Sequence, residues 1–125
     1  LRNEVIRHIE SLADSRHKPI YETALFIKRS KTDIDFIMDI MQSFFRDLMN
    51  ICSAGTDARI VNTDKRRELD ALAAKIYTET PLCLLEIMIK YRDCLDKNIS
   101  LAAVAQCMSM EIWEAIHDRS YRCKI

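Results

Sequence analysis

Apolar residues recur along this chain three and four positions apart, the spacing of helices that each bury one stripe. Val5, Ile6, Ile9 and Leu12 form such a stripe and predict a first helix over about 2–13, broken at Asp14-Ser15. Pro19 suits the first turn of a second helix, which carries Tyr21, Ala24, Leu25 and Ile27. The connection is short, so an antiparallel hairpin is expected. Thr32 is placed to cap the longest helix, with Asp33 and Asp35 in its first turn, where carboxylates favour the dipole. Its apolar side is Ile34, Ile37, Met38, Met41, Phe44, Phe45, Leu48 and Cys52; Asp35, Asp39, Gln42, Arg46 and Asn50 share the other. This is the strongest amphipathic signal in the sequence.

A loop over 53–62 holds the one glycine, Gly55. Leu69, Leu72, Ala73, Ile76 and Tyr77 then mark a fourth helix. Thr80-Pro81 predicts the cap and first turn of a fifth, in which Glu86 is the one polar residue from Leu82 to Ile89. Such a helix is expected to run through the centre of a bundle. Asn98 is placed to end it in a left-handed conformation, and Ser100 to cap a last helix reaching about His117. On that helix Leu101, Val104, Met108, Ile112 and Ala115 form one stripe; Ala102, Ala105, Ser109, Trp113 and Ile116 form a second. The first faces the domain's own bundle. The second, small residues with Trp113 as an anchor, is the candidate interface with a partner protein. The competing account is a helix sunk in its own core.

The expectation is one all-α domain over 1–125, a compact bundle of about five to six helices. With a single glycine and two prolines in 125 residues, the chain lacks the turn residues that sheets require. An apolar content of 49% supports a sizeable core and argues against disorder. Nineteen basic and 19 acidic residues cancel, so the basic excess of a nucleic-acid or membrane binder is missing. The five cysteines are scattered, without a Cys-x-x-Cys pair, which points away from a disulfide framework or zinc site and towards a reducing, cytoplasmic setting. No apolar run approaches a membrane span. A start at Leu1 rather than Met reads as a piece cut from a longer protein.

Candidate chemistry is thin. A phosphate-cradling loop needs several glycines beside a Lys-Ser or Lys-Thr pair, and Gly55 stands alone. His117-Asp118 could belong to a His-Asp metal phosphohydrolase, with His8 or His17 as a further ligand, but no carboxylate follows Asp118. Asp33, Asp35 and Asp39 read as solvated rather than metal-binding, and the methionines and Cys83 and Cys94 as core filling. No catalytic, cofactor or metal residue is assigned. Lys28, Arg29 and Lys31 end the second helix, where cations suit the dipole. Lys65, Arg66 and Arg67 open the fourth, where they oppose it; a helical nucleic-acid-binding module built on them is the main alternative reading. Arg119, Arg122 and Lys124 make the tail basic.

The run Phe44-Phe45-Arg46-Asp47-Leu48-Met49, then Ile60-Val61-Asn62-Thr63-Asp64, then Leu85 to Tyr91, Leu95 and Asn98-Ile99-Ser100-Leu101 carries a resemblance. In that order and spacing it resembles the C-terminal domain of the delta-prime subunit of the bacterial DNA polymerase III clamp loader. The resemblance implies a collar domain, which packs with homologous domains of gamma/tau and delta type to hold the ring that loads the sliding clamp onto DNA. An ATPase-type module and lid would then lie upstream of residue 1. It implies no enzyme activity, no cofactor and no direct tight DNA binding for this piece. Arg46 and Asp47 match the family's Arg-Asp pair, with a structural role at the helix surface or in a contact between subunits. Asn62 or Asp64 would cap the fourth helix, and Asn98 end the fifth.

Overall fold

The computed structural model describes residues 1–117. Asp118, the basic tail and Cys123 lie outside the described residues. Six α-helices and no strand are present among the described residues: α1 (Arg2–Ser11), α2 (Lys18–Arg29), α3 (Ile34–Ala54), α4 (Arg66–Ala73), α5 (Thr80–Asp96) and α6 (Leu101–His117). The all-α expectation holds.

The longest helix organises the rest. α3 packs against α1, α4 and α5, while α6 lies against α2 and α5. The predicted stripe of α3 is what it buries: Ile37, Met38, Met41, Phe44, Phe45 and Leu48 are all at or below 2% exposure. Each such side chain contributes about 1.5–3 kcal/mol relative to an exposed one. Phe44 and Phe45 meet edge to face, with ring centroids 6.4 Å apart. α1 adds Val5, Ile6 and Ile9, and α6 adds Val104, Met108 and Ile112 to the same core. Although α1 and α2 touch, the main partner of α2 is α6 and that of α1 is α3, so the expected hairpin is a minor contact.

The helices stop where the residue types require. Gly55 ends α3 at φ 60°, a left-handed value that side chains resist. Asn98 ends α5 at φ 60°. Its N–H bonds the Leu95 carbonyl at 3.1 Å, and the Ile99 N–H bonds that of Cys94 at 3.0 Å. Those two bonds define a Schellman ending.

The starts depart from expectation. Neither Thr32 nor Thr80 makes a side-chain cap. Lys31–Asp33 forms a 3₁₀ turn ahead of α3, so the chain enters the helix already wound. Thr80 is inside α5, buried, with its N–H bonded to the Tyr77 carbonyl at 3.1 Å. α4 ends at Ala73, leaving Ile76 half-buried after the helix and Tyr77 50% exposed. α2 is rotated from its expected phase: it buries Ile20, Thr23, Ala24 and Ile27 and exposes Tyr21 and Leu25. α5 is not central, because Leu82 and Ile89 are 47% and 62% exposed.

Candidate functional site

Three of the family-motif residues converge. Asp47, on α3, is 2% exposed rather than at the helix surface, which corrects the expected placement. Its Oδ1 accepts from the Val61 N–H at 2.9 Å. Its Oδ2 accepts from the N–H and the Nδ2 of Asn62 at 2.8 and 2.7 Å. Asn62 Nδ2 also donates to Ser43 Oγ at 3.2 Å. A buried carboxylate needs such donors, because an unpaired one costs far more than its neighbours return.

Asn62 and Asp64 cap no helix with their side chains; both serve Arg2 instead. Arg2 Nη2 donates to Asn62 Oδ1 at 2.8 Å, and the guanidinium forks onto both oxygens of Asp64 at 2.8 and 2.9 Å. The Arg2 guanidinium holds the Asp64 carboxyl below its ordinary range and is itself pushed up by it. The network ties α1, α3 and the entry to α4 into one unit. Arg46 is exposed and stands outside it, and Asn98 lies elsewhere, at the end of α5. Sequence reasoning missed Arg2 and Ser43. Arg2 meets partners 60 and 62 positions away, a distance no local pattern signals.

The basic opening of α4 is not a free stripe. Arg66 pairs with Asp70 at 3.2 Å and donates to the Gly55 carbonyl at 2.7 Å, while Arg67 is exposed. Asp39 pairs with Arg92 at 2.7 Å, which also reaches Gln42. Among the described residues, no three His, Cys, Asp or Glu side chains are grouped to hold a metal. The histidines serve packing. His8 stacks on Phe26 with centroids 4.5 Å apart, and burial pushes its pKa down. His17 and His117 each meet the Trp113 ring, and His117 Nε2 lies 2.7 Å from the Leu12 carbonyl.

The second stripe of α6 is turned inward. Ala105, Ser109 and Ile116 are buried at 1%, 0% and 8% exposure inside the domain itself, and Ala102 is exposed. Trp113 is half-buried, and its Nε1 donates to the Asp14 carbonyl at 3.0 Å, closing α6 over the α1–α2 connection. The account of that stripe as a helix sunk in its own core describes these residues. Large apolar side chains are left open on α2 at Tyr21 and Leu25, on α3 at Phe36, and on α5. Leu82 and Ile89 stand two helical turns apart on its outer side, with Leu85 and Glu86 half-buried between them. Beside them Lys90 pairs with Glu111 at 3.1 Å, and Tyr91 donates to the same carboxylate, locking α5 to α6.

A family model described as DNA polymerase III, delta subunit, C terminal, matches residues 1–108. No curated protein and no solved structure gives a significant match.

Proposed function

The chain belongs to the family formed by the C-terminal domain of the DNA polymerase III delta subunit, and from that premise we propose that it packs into the collar of the clamp loader through the open side of α5. As a clamp-loader domain of this family it is non-catalytic. Its contribution is assembly with other clamp-loader subunits. The observation that carries the proposed surface is the exposure of Leu82 and Ile89 on a helix whose remaining apolar residues are buried or half-buried. Apolar side chains spaced along one open helix face are the usual material of a protein–protein contact. The α5–α6 clamp through Glu111 keeps that face rigid, which reduces the ordering cost of association.

The partners proposed are the gamma/tau-type and delta-type subunits, and the setting is the cytoplasm. No described helix is long and apolar enough to cross a membrane. Direct tight DNA binding is not part of the proposal, since the balanced charge gives little phosphate attraction. The family description names the delta subunit, whereas the motif order from Phe44 to Leu101 favours delta-prime as the parent protein.

Competition tests the reading. Added in excess to a reconstituted clamp loader, the chain should displace full-length delta-prime and leave delta in place. Displacement of delta instead would reassign the parent protein. Displacement of neither would remove the collar reading.

A further inference from the structure

A groove of about 390 Å³ separates the segment 58–60 from the start of α4; Ala58, Arg59, Ile60, Thr63 and Arg66 line it. Its two basic side chains are in different states. Arg66 is already fixed, bonded to the Gly55 and Ala58 carbonyls at 2.7 and 3.4 Å, and Asp70 takes up part of its charge. Arg59 is anchored through its backbone, whose carbonyl accepts from Asn50 Nδ2 at 3.2 Å. Its exposed guanidinium has no carboxylate partner among the described residues, and the Thr63 hydroxyl likewise has none. Asp64, the acid next to Thr63, is engaged by Arg2 and does not fill the role.

We propose that this groove binds a phosphate oxyanion. A guanidinium fork matches two phosphate oxygens, and the Thr63 hydroxyl, which lines the same groove, suits a third. Ile60 and Ala58 supply an apolar wall for the carbon side of an ester. A phosphate takes up this set of donors better than a carboxylate, which has only two oxygens to offer. Arg66 lends a fixed positive field, reduced by Asp70, so binding is that of one weak site. The bound phosphate could come from a small phosphate ester or from a nucleic-acid backbone. The inference is independent of the assembly role.

The test is a ¹⁵N-resolved NMR titration of the 125-residue chain with inorganic phosphate, against chloride at matched ionic strength. The Ile60 and Thr63 amides and the Arg59 Nε signal should move saturably with phosphate and not with chloride. Arg59→Ala should weaken binding about fivefold or more, the scale of one lost charged hydrogen bond at an open site. Thr63→Val should weaken it less, and Arg67→Ala, outside the groove, should leave it unchanged. A second arm uses a short oligothymidylate. Stronger shifts of the same signals, suppressed by salt, identify a nucleic-acid backbone as the source; shifts with phosphate alone identify a small ester. Shifts that do not saturate, or equal weakening by Arg59→Ala and Arg67→Ala, would overturn the site.

Discussion

One carboxylate oxygen of Asp47 receives both the backbone N–H and the side-chain amide of Asn62, 15 positions along the chain, at 2.8 and 2.7 Å. The other receives the Val61 N–H. A loop that would otherwise wander is thereby fixed to the middle of the longest helix. Asp47→Ala leaves three donors without their acceptor in a largely buried place. The expected loss is about 3 kcal/mol, read from urea unfolding. Asp47→Asn keeps one acceptor oxygen and should lose about half of that. Asn50→Ala, which removes only an exposed bond to the Arg59 carbonyl, should stay within about 0.5 kcal/mol of the parent.

His8 should make stability pH-dependent in a mild range. Burial, chiefly, and the nearby Arg7 lower its folded pKa, against smaller raising effects from Glu22 and Glu4. The unfolded chain therefore takes up this proton first, near an ordinary value of about 6.5. Its stabilising contribution is complete above that pH and declines as pH falls towards the folded value. Melting temperatures between pH 7.5 and about 5 should drop more steeply for the parent than for His8→Phe, which keeps a ring against Phe26. Parallel curves would show that His8 contributes nothing.

The ending of α5 offers a backbone test. Asn98 holds φ 60°, where asparagine is tolerated, glycine is at ease and branched residues are strained. Asn98→Gly should leave stability within about 0.5 kcal/mol, and Asn98→Val should lower it by about 1–2 kcal/mol. Equal effects of the two would show that the left-handed turn is not what matters there.

Trp113 separates packing from partner contact. It is half-buried and donates to the Asp14 carbonyl. Trp113→Ala should cost about 2–3 kcal/mol, somewhat below the cost for a fully buried tryptophan. Trp113→Phe retains much of the ring contact with His17 and His117, loses the hydrogen bond, and should cost about 1 kcal/mol. A Trp113→Ala chain as stable as the parent would contradict the packing role.

These residues also show where the sequence was legible. The stripe from Ile37 to Leu48 and the stop at Asn98 were readable, because periodicity and positive-φ preference are local properties, whereas α3 runs to Ala54, past the loop expected from 53. The phase of α2 was not. Both a Tyr21–Ala24–Leu25 side and an Ile20–Ala24–Ile27 side are apolar, and docking on α6 chose the second. The open side of α5 was hidden for a related reason: a helix apolar nearly all round does not announce which side the fold will cover. Of the candidate site, Asp47, Asn62 and Asp64 were singled out by motif. The roles of Asn62 and Asp64 depend on Arg2, which no spacing rule connects to them.

The central claim is assembly through the open face of α5, and the complex itself tests it most directly. Size-exclusion chromatography with light scattering, on the chain mixed with gamma/tau-type and delta-type subunits, gives the mass of what forms. The parent chain should enter the complex in fixed stoichiometry. Leu82→Lys combined with Ile89→Lys should keep its helical circular dichroism and melting temperature, since both side chains are exposed, yet elute alone. A parent chain that never joins the subunits, or a folded double variant that joins them as well as the parent, would contradict the account.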